Sequence, residues 1–131
     1  MGKRRGLSCR WVFVSVAVTL TVLVCIVLPN HRRSRHQTAY CMSGLKNLGT
    51  ALEMYQSDHH EFPTRLGALI PHYLKILPTC PQAHRDTYSD GYVAASHPDA
   101  YTVVCVGTNH SAVRQSPDFP QYTSRQGLIS Q

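Results

Sequence analysis

No pattern that ordinarily carries chemistry is present in this chain. It has no CxxC pair, no HxxxH, no nucleophile-elbow glycines around Ser89, Ser96 or Ser111, no EF-hand spacing and no paired carboxylates. Zinc ribbons, helical zinc proteases, serine hydrolases and calcium loops each need one of these arrangements to bring their reacting groups together. Their absence excludes the motif-bearing forms of those classes. No catalytic, cofactor-binding or metal-ligating residue is therefore assigned, and the expectation is a protein that is not an enzyme and needs no cofactor.

Acidic residues are also scarce, and their placement is uneven. All seven Asp and Glu lie in residues 36–131, against six Lys and Arg there, a formal charge of −1. The other seven of the 13 basic residues are Lys3, Arg4, Arg5, Arg10, Arg32, Arg33 and Arg35, so the net charge of +6 is carried near the N-terminus. A nucleic-acid-binding domain needs a basic face of its own, and this one has none, so no nucleic acid is expected as partner. Basic residues flanking an apolar run suit lipid headgroups instead.

That run is uncharged from Trp11 to Leu28, 18 residues. At ~1.5 Å per residue it spans about 27 Å as a helix, close to the thickness of a bilayer core. It is longer than the h-region of a cleaved signal, and no small-x-small site precedes Pro29. Cys25 would be the acylated residue of a lipoprotein, but Val24 before it is bulkier than such a site takes. An uncleaved membrane anchor is expected. Four Lys/Arg precede the run and three follow it, a count that tilts only slightly toward a cytoplasmic N-terminus.

A helical stripe follows the anchor. Cys41, Leu45, Leu48, Leu52 and Tyr55 recur at steps of four, three, four and three, which places them on one face of an α-helix for packing. Lys46, Asn47, Thr50 and Glu53 fall on the other face. Gly44 and Gly49 each weaken a helix by up to ~1 kcal/mol relative to Ala, which points to a close neighbour there. The helix is expected to end at Asp58, before the polar loop closed by Pro63. Thr64 suits the cap of a short second helix bearing Leu66, Leu69, Ile70, Tyr73 and Leu74, limited to two turns by Pro71. Residues 91–95 and 101–106 read as a β-hairpin around His97-Pro98-Asp99-Ala100. The last 25 residues read as mostly coil, with Leu128 and Ile129 in a short edge strand.

Cys9 and Cys25 lie beside or in the membrane run, and the other three cysteines, Cys41, Cys80 and Cys105, lie beyond it. With no CxxC among them, an oxidising compartment and one disulfide are favoured over a metal cluster. Cys80–Cys105 is the preferred pair; Cys41, on the helix, is either buried or replaces one of the two. The eight histidines include His59, His60, His84, His97 and His110 in loops. They read as scattered surface residues, the alternative being a Cys/His site that converges in space without local spacing. Asp86, Asp90 and Asp99 read as solvated loop carboxylates.

The order of these segments resembles the type IV pilin and type II secretion pseudopilin family. Lys3-Arg4-Arg5-Gly6 resembles the basic leader ending in glycine that prepilin peptidase recognises, which would place its cut between Gly6 and Leu7. Pro29-Asn30 with Arg32 to Arg35 resembles the close of the hydrophobic half of a pilin helix. Residues 45–55, LKNLGTALEMY, resemble the helix that follows, and Phe62-Pro63-Thr64 with Leu69, Tyr73, Leu74, Leu77 and Pro78 resembles the next loop and helix. The resemblance covers about residues 3–81. It implies an α+β fold: a long N-terminal helix, its first half transmembrane, packed on a small domain with a short second helix and an antiparallel hairpin or small sheet. The implied divisions are 1–6 (leader-like), 7–29 (membrane helix), 30–58 (soluble continuation) and 59–131 (extracytoplasmic α+β domain).

The implied function is that of a non-enzymatic pilin-like subunit of a type II secretion or type IV pilus-like system. It would be held in the bacterial inner membrane by a single pass and act by helix–helix packing. Membrane lipid, other pilin-like subunits or secretion-system proteins, and prepilin peptidase are the implied partners. One departure is specific: counted from Leu7, the fifth position is Trp11, where the family carries a glutamate. Arg10 adds a positive charge where the family is apolar. Both count against an ordinary filament subunit, and the alternative is an unprocessed single-pass anchor carrying an extracytoplasmic binding domain derived from the same fold.

Overall fold

The computed structural model describes residues 5–96 and 99–130. Its elements are a helix α1 (Arg5–His59) and four strands, β1 (Tyr92–Ser96), β2 (Asp99–Val104), β3 (Gln121–Thr123) and β4 (Gly127–Ile129), with short 3₁₀ turns at Leu66–Leu69 and Ser111–Val113. The architecture is α+β, as expected. The chain divides into two compact units, Met1–Arg33 and Ser34–Gln131.

In the first unit, every residue from Trp11 to Asn30 is exposed. This is one helix long and apolar enough to cross a membrane, by length and composition. Its few hydroxyls are satisfied internally: Ser15, Thr19 and Thr21 donate to the carbonyls of Val12, Val16 and Ala17 at 2.9, 2.9 and 2.8 Å. Such back-bonding removes the need for water at those side chains. Pro29 lies inside α1 and supplies no N–H to its ladder. The leader residues Lys3 and Arg4 lie outside the described residues.

In the second unit the expected stripe becomes the core. Cys41, Leu45, Leu48 and Leu52 are fully buried, together with Ala51, Leu66, Leu69, Cys80, Tyr88, Tyr101, Val103 and Cys105. Tyr55 is half-buried, packed against the rings of His59 and Tyr73. α1 ends at His59, one residue past the expected stop. Strand β2 alternates with period two, so Tyr101 and Val103 point inward while their neighbours are less covered. The sheet is an antiparallel meander in the order β1-β2-β3-β4. Tyr92 pairs with Val103, Val103 with Tyr122, and Tyr122 with Leu128.

Two sequence expectations need correction. The second helix is shorter than expected, a single 3₁₀ turn with Arg65 rather than Thr64 before it and no side-chain cap. Ile70 is extended, at φ −94° and ψ 138°. This is the conformation that Pro71 imposes on the residue before it, so the helix stops there. The C-terminal region is more ordered than coil: β3 and β4 form a second hairpin, in which the Gln126 amide donates to Thr123 Oγ1 at 3.1 Å and Gly127 takes φ +70°. The first hairpin falls where the sequence placed it, with Asp99 and Ala100 belonging to β2; His97 and Pro98 lie outside the described residues.

The contact between helix and sheet turns on Gly49. A Cβ at that position would lie 2.5 Å from Tyr122 Cε1 and within 2.9 Å of two further ring atoms. Tyr122 stacks in turn on Tyr101, with ring planes 9° apart and centroids 6.3 Å apart. The Tyr101 hydroxyl donates to the Gly49 carbonyl at 3.3 Å. Glycine thus lets two tyrosines lie against the helix backbone. Gly49→Ala is expected to destabilise the protein by about 1–3 kcal/mol, because the clash outweighs the ~1 kcal/mol that alanine contributes to helix formation. Denaturant unfolding checks this. In a Tyr122→Ala background the same substitution is expected to stabilise.

Candidate functional site: a buried cluster of three cysteines and a histidine

Four elements of the second unit converge on one point. Cys41 enters from α1, at the start of the buried stripe. Cys80 enters from the extended segment after Pro78, where its amide donates to the Arg85 carbonyl at 3.0 Å and its carbonyl accepts from the His84 amide at 2.8 Å. These bonds close a tight turn over residues 80–85, with His84 in the left-handed region at φ 55°. Cys105 directly follows β2, held by its amide to the Pro120 carbonyl at 3.0 Å. His110 comes five residues later, at the head of the second 3₁₀ turn, where its carbonyl accepts from the Val113 amide at 3.1 Å.

The ligating atoms of Cys41, Cys80, Cys105 and His110 all lie within 4.8 Å of one another. The three cysteines have no exposed surface, and His110 keeps only 1% of its own. His110 Nε2 is 3.5 Å from Cys105 Sγ and 3.7 Å from Cys80 Sγ. Its other nitrogen, Nδ1, is 3.1 Å from Thr38 Oγ1. That hydroxyl donates its own proton to the Ser34 carbonyl at 3.0 Å. Thr38 is therefore left as an acceptor for Nδ1–H, and Nε2 faces the sulfurs.

Each sulfur has further polar company. The Tyr88 hydroxyl donates to Cys41 Sγ at 3.1 Å. Thr87 Oγ1 lies 3.2 Å from Cys105 Sγ, and Asn109 Nδ2 donates to the same sulfur at 3.8 Å. The proton balance is correspondingly shifted. Hydrogen bonds from Cys105 and Cys41 push the Cys80 thiol down, against its burial. Hydrogen bonds with Cys105 and Cys80, together with burial, push Cys41 up. Burial alone would lower His110, but hydrogen bonds to Cys105 and Cys80 outweigh it and hold the imidazole up at about 9. Burial, then Cys41, pushes Tyr88 up.

The expected disulfide is not formed. Cys80 and Cys105 are free thiols, as are Cys25 and Cys41. The physical reason is that His110 and Cys41 share the space around the two sulfurs, so the four groups form a cluster rather than a pair. Cys41, Cys80, Cys105 and His110, to which the sequence assigned no metal, together offer four donors of metal-binding type. His110, read from sequence as one loop histidine among several, is buried. The only local signal was a Cys and a His five residues apart, Cys105 and His110, which is too common to single out.

The remaining residues singled out by sequence lie elsewhere. Leu45, Leu48 and Leu52 serve the core alone, Tyr55 sits at its edge, and Gly6 and Leu7 fall in the first unit, at the start of α1. Asp86 caps its own loop, accepting from the amides of Tyr88 and Ser89 at 2.8 and 3.1 Å. Asp90 faces Arg85 at 3.6 Å with both side chains mostly exposed.

Thr38 is expected to matter more than its size suggests. Thr38→Val keeps the shape but leaves His110 Nδ1–H buried without an acceptor, at a cost of about 1–3 kcal/mol. Thr38→Ser, which keeps the hydroxyl, is expected to retain most of the stability. Equilibrium unfolding of the two variants checks this.

Comparison of the chain with family models, with curated proteins and with solved structures finds no match.

Proposed function

We propose that this chain is a non-enzymatic, pilin-like membrane protein of a type II secretion or type IV pilus-like system. It is held by a single pass in a bacterial inner membrane, with the 34–131 unit on the extracytoplasmic side. The observation that carries the reading is the exposure of the apolar run. Thirteen large apolar side chains between Trp11 and Leu28 are exposed, each by half its surface or more. Full burial of such a side chain is worth about 1.5–3 kcal/mol, so covering the exposed half of the set represents on the order of 10–20 kcal/mol, available from lipid or from neighbouring helices of the same kind. The basic residues on either side and the internally bonded hydroxyls support the same setting.

The leader-like Lys3-Arg4-Arg5-Gly6 and the buried stripe beyond the run supply the pilin-like part of the reading. Trp11 in place of the family's glutamate sets the kind of subunit. A new N-terminal amine at Leu7 would have no carboxylate of its own type to pair with in a stack of identical copies, and an unpaired charge in lipid is costly. The role that fits is a minor subunit, present at one place in an assembly and packing its helix against others that carry the missing acid.

N-terminal sequencing of the protein extracted from membranes tests this. A mature chain beginning at Leu7 is expected, and Gly6→Val is expected to leave the leader attached. An intact N-terminus in the unaltered protein overturns the processing and with it the pilin-like reading.

A further inference from the structure

We propose that Cys41, Cys80, Cys105 and His110 form a closed, structural zinc site. The inference goes beyond the proposed function and does not rest on it. Three soft sulfurs and one imidazole nitrogen are the donor set of Cys₃His sites, which bind zinc in four-coordinate tetrahedral geometry. With Zn–S near 2.3 Å and Zn–N near 2.0–2.1 Å, tetrahedral angles place a sulfur and a nitrogen about 3.6 Å apart. The observed separations from His110 Nε2 are 3.5 Å to Cys105 and 3.7 Å to Cys80.

The surroundings fit a metal better than they fit thiol redox chemistry. A dithiol that exchanges with a partner must present a sulfur to it, and all three cysteines here are fully buried. A disulfide would also strand one of the three. The histidine, by contrast, is oriented as a metal-bound imidazole usually is. Its Nδ1–H is spent on Thr38 Oγ1, whose proton goes to the Ser34 carbonyl, so Nε2 is the nitrogen aimed at the sulfurs and left to bind a metal. Hydrogen bonds from Tyr88 to Cys41 and from Asn109 to Cys105 would offset part of the excess negative charge of three thiolates around a divalent ion.

Loading forms three Zn–S bonds and one Zn–N bond and releases to solvent the three protons that the metal-free cluster carries between its sulfurs and His110 Nε2. Burial of all four donors leaves no access for a bound water or substrate, so the metal acts as a cross-link. It would join α1 to the 80–85 turn, to the end of β2 and to the loop after it. A unit of fewer than 100 residues with a small core is the kind of domain that gains most from such a staple.

The test uses the full chain in detergent micelles, purified under reducing conditions without added metal. About one zinc per chain is expected by elemental mass spectrometry. After removal by a chelator, titration with Co(II) is expected to saturate at one equivalent and to give the thiolate-to-cobalt charge-transfer bands of a tetrahedral site. One equivalent taken up in this titration supports the proposal whether or not zinc co-purifies. Cys105→Ser and His110→Ala are expected to lower the bound metal at least tenfold. His110→Cys is expected to keep one equivalent and shift the cobalt bands toward those of an all-thiolate site, which separates a ligand role from a folding defect. No zinc in the purified protein together with no uptake of Co(II) overturns the proposal. So does a different metal co-purifying in zinc's place, or a disulfide joining two of the three cysteines in the protein as made by the cell. None of these outcomes depends on where the mature chain begins.

Discussion

A four-stranded antiparallel sheet with one apolar face cannot stand in water without a cover, and here the cover is a single stripe of α1. Tyr101 and Val103 on β2 have Leu45, Leu48, Ala51 and Leu52 as the apolar surface to meet, because the strands themselves supply few other large buried groups. The short 3₁₀ turn adds Leu66 and Leu69, and the loops add Tyr88. Everything else in the unit is arranged to preserve this one contact. Gly49 lowers the helix surface so that Tyr122 can lie flat, and Phe62 meets Tyr101 edge-on with ring centroids 4.8 Å apart. The Tyr92 hydroxyl bonds to the Pro63 carbonyl at 2.7 Å, tying β1 to the loop that leaves the helix.

The elements that could be read from sequence are those with a long period. The stripe from Cys41 to Tyr55 covers five positions at helical steps, and β2 alternates over enough residues to show period two. β3 and β4 are three residues each, too short for any alternation to rise above chance, and only the apolar pair Leu128 and Ile129 hinted at one of them. The second helix was overextended because Leu66, Leu69, Tyr73 and Leu74 keep helical spacing across Pro71, although the backbone does not. Leu74 and Tyr73 still pack on the core, but through amides that both bond back to the Leu69 carbonyl.

The site was illegible for a different reason. Its four groups come from four separate stretches, and their convergence is a product of the fold. Local spacing detects sites in which a turn presents two ligands at once. Counting cysteines favoured a disulfide because an odd thiol can always be set aside, and nothing in the sequence says that the sulfur of Cys41, on the helix, stands within 4.8 Å of those of Cys80 and Cys105. The buried hydroxyls of Thr38, Thr87 and Tyr88 carry no sequence signature either, yet they supply most of the polar contacts that the cluster needs.

The position of Tyr122 sets the order in which this unit can be completed. A chain made from its N-terminus presents the stripe on α1 long before the strands that cover it, and the partner of Gly49 comes only with β3. Contacts such as Thr38 with His110, 72 residues apart, belong to the slow, non-local kind. During synthesis, therefore, Leu45, Leu48 and Leu52 wait uncovered while some seventy more residues are made, and a helix face left open that long is sticky. The same stripe that gives the finished unit its core is its greatest hazard while it is being born.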